Sequence, residues 1–237
     1  MAAARTRLIA ALDTDDETHA ASLARMVGPH VDALKLGLQF TYASGLPAAE
    51  RVCAGQGLFL DLKLHDIPNT VACAVRAIAG AMRQPPLMLT LHGAGGVAML
   101  EQARLARDEA FTAAGRPLLL AVTVLTSLDA EALQQTGVAG GPRQQVLRLA
   151  RLALGAGIEG LVCSPHEIAP LRDMFGEAPV LVVPGVRPEA SEAGDQKRVM
   201  TPRDASLAGA DWIVVGRPIT GAPDPAAAAA AIAGMLV

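Results

Sequence analysis

The chain has 237 residues, 51% of them hydrophobic and 3% aromatic, with a formal net charge of −3. That length suits one large α/β barrel or two small domains, and the slightly acidic balance argues against nucleic acid or an anionic membrane as the main partner. Cys53, Cys73 and Cys163 lie far apart with no CxxC pair, which speaks against a disulfide framework or a zinc site and leads us to expect buried thiols in a reducing cytoplasm. Arg5 and Arg7 precede the apolar residues 8–12, but Asp13 ends that run too early for a signal-peptide core. The Ala-rich tail after residue 225 is shorter than the roughly 20 residues needed to span a bilayer, so no membrane partner is expected.

In chain order, short apolar runs at residues 8–12, 33–35, 58–62, 87–91, 118–123, 160–162, 180–183 and 212–215 predict strands. Amphipathic Ala-rich stretches between them, including 14–27, 69–82, 96–111 and 143–154, predict helices. Pro223-Asp-Pro225 marks the start of a closing helix. Solid apolar strands, each followed by a helix, imply a parallel sheet covered on both faces. Eight such units predict a single-domain α/β protein, a (β/α)8 TIM barrel over residues 1–237. A doubly wound open sheet is the alternative with the same alternation. The polar residues favour the barrel: Asp13, Lys35, Asp61, His92, Thr126, Arg187 and Arg217 fall at or just past the C-terminal ends of predicted strands. In a barrel those ends converge on the face where active sites are built.

Three constellations stand on that face. Asp61-Leu-Lys63-Leu-His65-Asp66-Ile67-Pro-Asn-Thr70 follows the apolar run 57–60. Alternate strand residues share a face, so Asp61 and Lys63 are expected side by side, with Asp66 close in the chain and Lys35 one strand inward. Mixed charges at the mouth of a buried strand give little net stability, which makes chemistry the better reason for them. Flanking carboxylates keep Lys63 protonated and suit it to proton donation rather than to Schiff-base attack. Second, Val183-Pro-Gly185-Val-Arg187 and Val214-Val-Gly216-Arg217 end the last two predicted strands. Loops there form the common phosphate cradle of barrels, and an Arg can fork to two phosphate oxygens. The long polar segment 187–203 is the natural lid over that phosphate. Third, Thr126 and Ser127 offer hydroxyls to a polar ring edge, although Ser127 also reads as a helix N-cap. His92 before Gly93-Ala-Gly-Gly96 reads either as a structural histidine at a glycine turn or as a place where backbone packs on ligand. The other histidines lack ligand spacing, so no metal is expected. Gly155-Ala-Gly157-Ile-Glu-Gly160 matches GxGxxG, but it follows a helix and precedes a strand, the reverse of a dinucleotide site, and reads as a helix stop.

Taken together, Asp61–Thr70 resembles the signature of the orotidine 5'-phosphate decarboxylase family in its bacterial short form. Ala10-Ala-Leu-Asp13, Leu34-Lys-Leu-Gly37, Val122-Thr-Val-Leu-Thr-Ser127, Pro184-Gly-Val-Arg-Pro188, Gly194-Asp-Gln-Lys-Arg-Val-Met-Thr-Pro202 and Val214-Val-Gly-Arg-Pro-Ile-Thr220 support it in the same order. The resemblance implies a cofactor-free cytoplasmic enzyme converting orotidine 5'-phosphate to UMP, in a homodimer with shared sites. It implies Lys63 as proton donor, with Asp61 and Lys35 in its charge network and Asp66 and Ile67 reaching into the partner's site. Asp13 and Lys35 would meet the ribose, Thr126 and Ser127 the pyrimidine, and Arg187, Gln196, Gly216 and Arg217 the phosphate and lid. Thr70 closes the signature and counts among the substrate-binding residues.

Overall fold

Eight parallel strands close on themselves in the order of the chain, β1 to β8. They are β1 Arg7–Ala11, β2 Ala33–Gly37, β3 Gly57–Leu64, β4 Met88–His92, β5 Leu118–Val122, β6 Gly160–Val162, β7 Val180–Pro184 and β8 Trp212–Val215. The helices are α1 Glu17–Val27, α2 Leu38–Val52, α3 Pro68–Ala81, α4 Gly96–Ala110, α5 Ala130–Gln135, α6 Pro142–Gly155, α7 Ile168–Phe175, α8 Pro202–Leu207, α9 Arg217–Thr220 and α10 Pro225–Ala233. This is a computed structural model in which residues 5–188 and 200–237 are described. β1 pairs with both β2 and β8, so the sheet is a barrel and the open-sheet alternative is excluded.

Each strand is buried on two sides, and its alternating residues feed two separate cores. Ile9, Ala11, Ala33, Phe59, Met88, Leu120, Val182, Trp212 and Val214 fill the barrel interior. Leu8, Ala10, Leu34, Leu60, Leu89 and Ile213 point outward and pack under the helices. The strands therefore read as unbroken apolar runs. Continuing the inward alternation by two residues leads from Ala11 to Asp13, from Ala33 to Lys35, from Phe59 to Asp61, from Met88 to Thr90 and from Val214 to Gly216. The polar site is thus the next layer of the apolar plug, on the same side-chain columns. At the opposite end the plug is closed by the Arg7 guanidinium, 3.9 Å from the centre of the Trp212 ring.

Three local expectations change. Cys53 and Cys163 are buried, but Cys73 is exposed, because α3 turns that position away from the sheet. The N-cap role read for Ser127 falls to Asp129, whose carboxylate accepts from the Ala132 N–H. The strand carrying Asp61 and Lys63 is not a regular alternating strand. Leu60 pairs with Leu89 and Leu64 with Leu91, four residue steps on β3 against two on β4, so β3 bulges there. Lys63 sits in this bulge with φ 49°, in the left-handed region. Such a conformation costs a residue other than glycine on the order of 1–3 kcal/mol and clusters at functional sites.

Candidate active site

A cavity of about 450 Å3 opens at the C-terminal end of the barrel. Its wall includes Asp13, Lys35, Asp61, Lys63, Thr126, Arg187, Gly216 and Arg217, over an apolar floor of Ala11, Phe59, Val122, Val162 and Val214. Seven strands or their following loops therefore deliver residues that the sequence places more than 200 positions apart.

The charge network is centred on Asp61, whose side chain is 12% exposed. Asp61 Oδ2 lies 2.8 Å from Lys63 Nζ and 3.7 Å from Lys35 Nζ, and Lys35 Nζ donates to Asp13 Oδ1 at 2.9 Å. Burial alone would raise the Asp61 pKa. The ammoniums of Lys35 and Lys63, with hydrogen bonds from Lys63 and Thr90, outweigh that and hold the carboxyl below its usual range. The network keeps an anion fixed between two cations, and Lys63 lines the cavity beside it. Removing one partner from such a cluster leaves an uncompensated buried charge, so its geometry is strongly enforced.

Thr90, fully buried, is the residue that sequence reading missed. Its hydroxyl accepts from the Lys63 backbone N–H at 2.8 Å and donates to Asp61 Oδ1 at 3.0 Å. A lone Thr within Met-Leu-Thr-Leu-His reads as an ordinary strand former, and the only available signal was its inward parity on β4.

On the far side of the cavity the two Gly-Arg segments come together as expected. Arg187 is buried, Gly185 adopts the left-handed φ of 84°, and Gly216 precedes Arg217 at the start of α9. The Arg187 N–H donates to the Met200 carbonyl at 2.9 Å, beside a bridge between Val186 and Met200. The segment 187–203 thus leaves and rejoins the barrel at the cavity rim. Gln196, and with it most of that segment, lies outside the described residues.

Not every expected residue joins the site. Ser127 is exposed and does not line the cavity, although Thr126 does. Asp66 is exposed, accepts from its own Ile67 N–H at 2.7 Å, and makes no ion pair among the described residues. It does not line the cavity that holds Lys63. Ile67, 67% exposed, and Thr70 likewise point outward. His92 takes the structural role: Nδ1 accepts from the Ala94 N–H at 3.3 Å, and the ring stacks on His65 with centroids 4.9 Å apart.

A family model described as Orotidine 5'-phosphate decarboxylase / HUMPS family matches residues 6–232. The chain is 58% identical over 229 residues to the orotidine 5'-phosphate decarboxylase of Gluconobacter oxydans, with 96% of each chain covered. It is 48% identical over 235 residues to that of Moorella thermoacetica, covering 97% of this chain and 92% of the relative. Among solved structures, the orotidine 5'-phosphate decarboxylase from Lactobacillus acidophilus superimposes with a TM-score of 0.85 at 36% identity, covering 98% of this chain and 99% of the other. With the barrel, the cavity and the ordered motifs all in agreement, the chain belongs to the orotidine 5'-phosphate decarboxylase / HUMPS family.

Proposed function

We propose that this enzyme removes CO2 from orotidine 5'-phosphate to form UMP in pyrimidine biosynthesis, with Lys63 delivering the proton to the vacated ring carbon. Breaking the bond between that carbon and the carboxylate leaves an electron pair in the plane of the ring, where the π system cannot spread it. The observation that supports the reading best is the Lys63 ammonium, lining the cavity and held 2.8 Å from Asp61. An ammonium fixed in advance beside the developing negative charge needs no reorganisation as the bond breaks. The same group then supplies the proton, leaving a neutral amine that solvent reprotonates. Asp61 faces the substrate carboxylate and disfavours it relative to the product CO2. No cofactor is invoked, and activity insensitive to a chelator is expected.

Binding divides along the cavity. Asp13 and Lys35 meet the ribose hydroxyls, and Thr126 meets a polar edge of the pyrimidine with Ser127 behind it. Arg187, Arg217 and the Gly216 backbone meet the phosphate, with Gln196 and the rest of the lid segment 187–203 closing over it. The phosphate lies far from the reacting carbon, so its binding energy serves to hold the ring in place. The outward-facing Asp66, Ile67 and Thr70 complete the site of a second subunit in a homodimer. We assign the enzyme to the cytoplasm; no helix among the described residues is long and apolar enough to cross a membrane.

Lys63→Ala tests the reading. Turnover, followed by the ultraviolet change on decarboxylation, should fall at least about 10^4-fold, while UMP still binds. Near-normal turnover would refute Lys63 as the donor. Mixing that variant with Asp66→Ala should restore part of the activity, because one hybrid site is then intact; no recovery would refute shared sites.

A further inference from the structure

We propose that Thr90 is a positioning residue for proton delivery: its single hydroxyl sets both the backbone that carries Lys63 and the carboxylate that holds the Lys63 ammonium. The inference rests on the reading of Lys63 as proton donor.

Between Leu60 and Leu64, β3 runs out of register with β4, and Lys63 is held at φ 49°. In a regular ladder the Lys63 N–H would meet a carbonyl of the neighbouring strand. Here it meets Thr90 Oγ1 at 2.8 Å. An N–H can only donate, so the hydroxyl oxygen accepts there, and its one proton is left for Asp61 Oδ1 at 3.0 Å. Thr90 is 0% exposed, so water has no access to replace it. With Oδ1 engaged by Thr90, Oδ2 is the oxygen presented to Lys63 at 2.8 Å and to Lys35 at 3.7 Å. Thr90 therefore fixes the root of the lysine and the anchor of its tip at once. It does not line the cavity among the described residues, so it has no direct part in holding the nucleotide.

These two contacts separate the chemical step from binding. Thr90→Val keeps the shape of the side chain and removes the hydroxyl. The carboxylate then gains rotational freedom, and the Lys63 backbone loses the partner that holds it in the left-handed region. We expect kcat per UMP-binding site to fall about 30- to 300-fold, with KM changed less than about threefold. Thr90→Ser retains both hydrogen bonds and should remain within about threefold of wild type. UMP titration counts the folded sites in each preparation, so loss of fold is not mistaken for loss of rate. Thr90→Ala is the second hydroxyl-free variant should the Val protein fail to bind UMP. Unchanged kcat per site in Thr90→Val, an equal loss in Thr90→Ser, or failure of both hydroxyl-free variants to bind UMP would overturn the assignment. Lys63→Ala is run alongside. An active Lys63→Ala protein sinks the donor reading itself, whereas an inactive one beside an unimpaired Thr90→Val protein sinks only the role of Thr90.

Discussion

The two ends of the barrel both hold partly buried ion networks, and they are built to opposite designs. At the N-terminal end, Arg172 of α7 donates to the Gly209 carbonyl at 2.8 and 3.0 Å, to Pro179 at 2.9 Å and to Gly176 at 3.0 Å. It also reaches Asp211 Oδ2 at 2.7 Å, which in turn accepts from the Leu181 N–H at 2.7 Å. The planar guanidinium is saturated by fixed oxygens, and the result ties α7 to the starts of β7 and β8. At the C-terminal end, two ammoniums share one carboxylate oxygen, and among the described residues the Lys63 ammonium, which lines the cavity, has Asp61 as its one partner. A saturated network confers stability; an under-satisfied one, held in place by strain and burial, keeps part of its interaction capacity for a ligand.

This contrast predicts that changes at the two ends move different observables. Of the tests that compare the two ends, the largest effect is expected at the proposed phosphate side. Arg217→Ala should lower kcat/KM by about 10^2-fold through loss of a charge-assisted contact, with a melting temperature close to wild type. A large drop in melting temperature with unchanged kinetics would place Arg217 with the structural network instead. At the other end, Arg172→Ala removes five donor contacts and leaves Asp211 without its cation. A loss of about 2–3 kcal/mol, or roughly 5–10 °C in melting temperature, is expected for a chain of this size. Its kcat per UMP-binding site should not change. Calorimetry and steady-state kinetics on the same preparations check both, and a kinetic defect in Arg172→Ala would break the division between the ends.

The contrast also explains what could be read in advance. The barrel was legible because each strand feeds two apolar cores, which leaves long hydrophobic runs whose polar continuations all lie at one end. Residues 160–162 and 212–215 coincide with β6 and β8, and the other strands differ by a few residues. The largest discrepancy is β3, which extends to Leu64 because pairing with β4 resumes there, beyond the charged residues that end the apolar pattern. α2 was hidden by Gly45, at φ 79°, and by Pro47, which break its helical pattern. Lys35, Asp61 and Lys63 were found because charges at strand ends are conspicuous, whereas Thr90 was missed because its meaning depends on the β3 bulge, a register shift between strands that composition does not encode. Asp66 was grouped with Lys63 by chain distance, but its side chain is exposed and lies outside the cavity lining.

His92 gives the finest test of the division, since it lies at the end of β4 on the catalytic side and yet does not line the cavity. Burial, His65 and the Lys63 ammonium all lower its pKa from the ordinary 6.5. The neutral ring is also the form whose Nδ1 can accept from the Ala94 N–H. Between the lowered folded value and 6.5, the unfolded chain binds a proton that the folded chain refuses, so His92 makes stability rise with pH across that window. Asp61 acts in the opposite range: its depressed pKa contributes stability above its ordinary 3.8, which is lost only as pH falls through the lower folded value. From pH 7 to 5.5 the melting temperature should therefore fall less in His92→Asn, which keeps an acceptor for Ala94, than in wild type. A difference on the order of 1–2 °C is expected. Parallel curves would show that His92 is not a stability group, and an accompanying loss of kcat at pH 7 would move it to the catalytic side of the comparison.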